Sequence, residues 1–73
     1  MTKILMEELM QLPAGATAAT IRGVEMQLID NDTRQTLLQS DPDDEHLHEC
    51  ILANGTFIAD MQNGQLFALY KVK

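Results

Sequence analysis

LHECILANGTFIADMQNGQLFALYKV, residues 47–72, reads as three short strands broken by two Asn-Gly dipeptides. Asn54-Gly55 and Asn63-Gly64 each offer the positive φ values that a two-residue type I′ hairpin requires. Pairing the strands about these turns sets Leu52 opposite Phe57, Cys50 opposite Ala59, Met61 opposite Leu66 and Ile58 opposite Leu69. One face then collects Cys50, Leu52, Phe57, Ala59, Met61, Leu66, Ala68 and Tyr70. The other collects Ile51, Ile58, Phe67 and Leu69, with Glu49 and Asp60 at its border. Strand side chains alternate with period two, so two separate turns that agree on one arrangement point to a three-stranded antiparallel meander.

Both faces of that meander are apolar, and each needs a cover. Residues 40–46 precede it as an acidic loop, with a short helix through Glu49 as the alternative. Residues 24–39 read as a hairpin. Val24, Met26 and Leu28 alternate with Glu25 and Gln27, Asp30-Asn-Asp-Thr33 supplies a turn, and residues 35–39 form the returning strand. A helix over residues 21–29, with Ile21, Val24 and Leu28 on one stripe, is the competing reading. Residues 13–23 are small and weakly patterned, as a connection would be. Residues 1–12 form a short helix, capped by Thr2 and stopped at Pro13. Leu5, Leu9 and Leu12 make its apolar stripe, broadened by Met6 and Met10. Such a short helix does not persist alone in water, so it must cover one face of the sheet. The remaining face falls to the folded-over hairpin or to a second copy of the chain. The expected fold class is therefore α+β: an N-terminal helix with a strongly twisted antiparallel sheet of about five strands, able to curl toward a barrel.

Seventy-three residues make one domain, close to the lower limit for a self-sufficient core. Oligomerisation commonly compensates at that size, which together with the second apolar face predicts a homodimer. Cys50 is the sole cysteine, so no internal disulfide can form and an oxidising compartment is not called for. Glu7 and Glu8 interrupt the apolar start that a signal peptide would need, and no apolar run is long enough to span a membrane. A cytoplasmic protein is expected.

The net charge of -6 has a single origin. Between residues 35 and 70 there are six acids (Asp41, Asp43, Asp44, Glu45, Glu49 and Asp60) and no Lys or Arg. Outside that stretch the charges cancel. Five scattered basic residues form no patch of the kind that phosphate binding needs, which argues against nucleic acid or an anionic membrane as a direct partner. Asp41, Asp43, Asp44, Glu45 and Glu49 instead suit a partner protein with a basic surface, where such charge steers encounter.

The densest group of reactive side chains is His46-Leu-His48-Glu49-Cys50. On an extended strand His46, His48 and Cys50 point the same way, a set that could offer two nitrogens and a sulfur to zinc. No paired second motif accompanies it. The acids of residues 41–45 lack the glycine and bidentate glutamate of a calcium loop. Glycines occur singly, so there is no phosphate-cradling loop, and no nucleophile stands beside a base. The expectation is a non-catalytic, small acidic interaction domain without cofactor. An inhibitor or antagonist occupying a basic, nucleic-acid-binding surface of another protein is its specific form. A zinc-binding regulatory or catalytic domain centred on His46, His48 and Cys50 is the alternative.

Overall fold

The structure, a computed structural model, describes residues 3–73. Helix α1 (Lys3–Met10) is followed by strands β1 (Thr20–Ile21) and β2 (Val24–Ile29), helix α2 (Asn31–Gln39), and strands β3 (Leu47–Leu52), β4 (Gly55–Gln62) and β5 (Gln65–Val72). The strands form one sheet in the order β1-β2-β5-β4-β3, so the α+β class holds, with five strands that do not close into a barrel. The sheet is mixed, not wholly antiparallel: β2 runs parallel to β5, with Met26 opposite Leu69 and Ile29 opposite Val72. Thr2, the expected cap of α1, lies outside the described residues.

The expected hairpin over residues 24–39 is replaced by a strand and a helix. Asp30 acts as the N-cap of α2, its side chain accepting from the Thr33 backbone N–H at 2.8 Å. Asp and Asn favour turns and helix caps alike, because both uses rely on a short side chain bonding to nearby backbone. The following Arg34-Gln-Thr-Leu-Leu-Gln39 lacks strand alternation and contains good helix formers, and this resolves the choice in favour of a helix.

Among the described residues, three hairpin turns have two central residues. Asn63 and Gly64 adopt φ of 52° and 76° between the paired Gln62 and Gln65, as the dipeptide demands. Arg22 and Gly23 do the same between β1 and β2, at 52° and 79°, inside what the sequence presents as a plain connection. The first Asn-Gly behaves otherwise. There the central residues are Ala53 and Asn54, and Leu52 pairs with Gly55. The Asn54 side chain turns instead to α1, where its amide nitrogen donates to the carbonyls of Leu9 and Leu12, both at 2.8 Å. The Leu9 carbonyl, in the last turn of the helix, also accepts from the Leu12 N–H at 3.1 Å, and the Leu12 carbonyl lies just beyond the helix end. Gly55 takes φ of +149°, and a Cβ there would stand 2.9 Å from Cε of Lys71.

Moving the turn displaces the β3–β4 pairing by two residues, so Cys50 meets Phe57 in place of the expected Ala59. An even displacement leaves every side chain on its expected face. The β4–β5 pairing starts in the expected register and then slips. Met61 faces Leu66, but Asp60 faces Ala68, which leaves Phe67 as the extra residue of a β-bulge. Beyond the bulge the faces exchange. Leu69, opposite Ala59, joins the α1 side, while Tyr70, opposite Ile58, joins the other.

The larger core lies under α1, where Leu5 and Leu9 pack with Ile21, Met26, Cys50, Phe57, Ala59, Met61, Leu66 and Leu69. Lys71 is also buried on this side and donates from its ammonium to the Ala16 carbonyl at 3.0 Å, tying down the connection after α1. The smaller core has Ile29, Leu47 and Ile58 beneath Leu37 and Leu38 of α2, flanked by Tyr70 and Val72. Helix α2 therefore covers the second side, in place of the folded-over hairpin that the sequence suggests.

Candidate functional site

The acidic loop begins where α2 stops. Ser40 ends the helix, its hydroxyl bonding back to the Leu37 carbonyl, and Pro42 prevents any continuation. Residues 41–46 then turn the chain into β3, which forms one edge of the sheet. The loop is closed by Asp41, whose Oδ2 accepts from the backbone N–H groups of both His46 and Leu47 at 2.8 Å. The Leu47 bond, followed by that of His46, holds the Asp41 carboxyl below its ordinary pKa. Hydrogen bonds to an ionised carboxylate favour the charged form.

The five acids expected to face a partner thus divide by use. Asp41 is a loop closure. Glu49 pairs across to Arg34 of α2, which contacts its Oε2 through Nε and a second guanidinium nitrogen, pinning the helix to the sheet edge. Asp44 sits at φ of 53°, a left-handed conformation that Asp tolerates better than most residues. Asp43 and Glu45 are exposed and take neither an ion pair nor a side-chain hydrogen bond among the described residues. Beside them runs an open groove of about 440 Å³ lined by Leu38, Asp44, His48 and Glu49.

The histidines and the cysteine of the zinc alternative are set differently. His46 is exposed ahead of β3, His48 is half-buried, and Cys50 is buried in the α1-side core with its Sγ 3.8 Å from the His48 carbonyl oxygen. Burial pushes the Cys50 thiol above its ordinary pKa, away from the thiolate that binds metal. Among the described residues no three His, Cys, Asp or Glu side chains are grouped to hold a metal ion. Likewise, no described helix is long and apolar enough to cross a membrane.

Two residues of this region escape a reading based on the hairpin. Arg34 and Leu38 lie four apart, so on a helix they share one face, where one meets Glu49 and the other lines the groove. The Asp30 cap is the available signal, since a helix starting there places both residues toward β3. No family model matches the chain, and neither a curated protein nor a solved structure matches it.

Proposed function

We propose that the chain is a non-catalytic interaction domain that presents the acidic rim of residues 41–45 to a basic surface of a partner protein. The observation that carries this reading is the division among the acids. Asp41 and Glu49 are engaged within the fold, whereas Asp43, Asp44 and Glu45 stand exposed with no side-chain partner among the described residues, beside an open groove. Opposite charge steers association and sets orientation, while wrong partners of like charge are repelled. A surface that normally holds nucleic acid has the required basicity, so occupation of such a surface is the specific form, with the domain acting as its inhibitor.

The test compares two double charge reversals of equal net effect. Partners are captured by crosslinking and identified, then each is assayed for binding to purified domain and for competition with nucleic acid. Asp43→Lys with Glu45→Lys should reduce that binding by at least about tenfold, roughly 1.4 kcal/mol. Glu7→Lys with Glu25→Lys, also at exposed sites, should leave it nearly unchanged. Equal losses from both pairs would reduce the effect to net charge and remove the rim as a site.

A further inference from the structure

We propose that the outer edge of β3 is a docking strand for an extended segment of a partner protein that carries Lys or Arg. This rests on the reading of residues 41–45 as a partner-facing rim, and it adds how the partner is held. The sheet has two edges, and they differ. At one end β1 is only two residues long, whereas β3 offers six in continuous register with β4. In an antiparallel ladder, residues whose backbone groups bond to the neighbour alternate with residues whose groups point away. The Met61 N–H donates to the His46 carbonyl at 2.8 Å, which places His46, His48, Cys50 and Leu52 in the bonded phase. The N–H and C=O groups of Leu47, Glu49 and Ile51 therefore face outward. The Leu47 N–H is taken by Asp41. The Leu47 carbonyl and both backbone groups of Glu49 and Ile51 have no partner among the described residues and lie along the edge.

Sheet edges are ordinarily blunted by Lys, Pro, a bulge or a covering element. Strand β3 contains no Lys or Pro, its pairing with β4 has no register shift, and Ile51 beside the edge is 74% exposed. Charge identifies the occupant. The edge is continuous with the acidic loop, and the groove along it joins Asp44 and Glu49 to the aliphatic Leu38. That combination fits a Lys or Arg side chain, its stem on Leu38 and its cation at the exposed Asp44, Glu49 being already engaged by Arg34. A second copy is a poor occupant, because each chain carries -6 and none of the five basic residues lies between residues 35 and 70. Strand addition gives affinity through main-chain bonds and specificity through alternate side chains.

The probes are three short synthetic peptides: one alternating Lys with Thr and Val, one identical but N-methylated at alternate backbone nitrogens, and one with Gln replacing Lys. The unmethylated Lys peptide should bind at or below about 1 mM and slow hydrogen exchange at the amides of Glu49 and Ile51. N-methylation and Lys replacement should each weaken binding by at least about tenfold. Equal binding of the methylated peptide would overturn edge docking while leaving the acidic rim as a contact surface. No binding of the Lys peptide overturns the inference outright, while the reversal experiment on Asp43 and Glu45 still decides the rim. Concentration-dependent protection of the same two amides without peptide would assign the edge to a second copy and likewise overturn it.

Discussion

Asn54 donates from one nitrogen to the carbonyls of Leu9 and Leu12, and losing that side chain takes away the Leu12 bond while leaving the Leu9 carbonyl only the Leu12 N–H. Asn54→Ala should therefore cost about 1–3 kcal/mol, read as a lowered urea midpoint with an unchanged slope. Asn54→Asp should be at least as harmful, since a carboxylate offers no donor and sets negative charge against the helix C-terminus. Two other side chains make the fold sensitive to acid. The Asp30 carboxyl, through the Thr33 backbone N–H, and the Asp41 carboxyl, through those of Leu47 and His46, are both held below their ordinary pKa. Their stabilising effect is fully present above the unfolded-state pKa and is lost as pH falls through the lower folded-state values. The double variant Asp30→Asn, Asp41→Asn should show a flatter loss of thermal midpoint through that acidic range than the native chain. An unchanged acid limb would mean that other carboxylates control it.

At the scale of elements, the bulge at Phe67 determines which side of the sheet the end of β5 faces. Deleting Phe67 would remove the extra residue and leave Leu66 opposite Met61, Ala68 opposite Asp60 and Leu69 opposite Ala59, so Leu69 would stay buried under α1. That deletion should therefore cost less than the about 2–5 kcal/mol of losing a buried leucine, and a loss that large in chemical denaturation would show that the bulge itself is needed. Phe67→Thr keeps the extra residue and removes a side chain that is 66% exposed, so it should stay within about 0.5 kcal/mol of the native protein. The same element shows what the sequence can reveal. The three strand limits and the second Asn-Gly turn are legible, because turn chemistry and period two are local signals. The first Asn-Gly turn moves without harm to the faces because its displacement is even. The bulge is not legible, because inserting one residue leaves no mark in composition and its location depends on which side chains fit the core. Helix α2 passes for half of a hairpin because a cap and a turn share their residues. Of the candidate site, the acids are plain in the sequence, but the uses of Asp41 and Glu49 depend on Leu47, His46 and Arg34, to which no sequence signal ties them.

Taken whole, the molecule solves a two-sided sheet with two short helices. Its radius of gyration is 11.2 Å, against about 11 Å for a compact chain of this length. Cover on the second side depends on Leu37 and Leu38, both only half-buried. Leu37→Ser with Leu38→Ser should bare Ile29, Leu47 and Ile58 and yield a species whose sedimentation coefficient rises with concentration. No such rise would show that α2 is dispensable as a cover. The position of β5 has another consequence. Of the five strands it is the last to leave the ribosome, yet it lies between β2 and β4 and supplies partners to both. Until it emerges, β2 has only the two-residue β1 beside it, and Met26 and Leu28 lack the strand that orders them. The β1–β2 and β3–β4 pairs can form during synthesis, but they cannot be joined into one sheet until β5 is available.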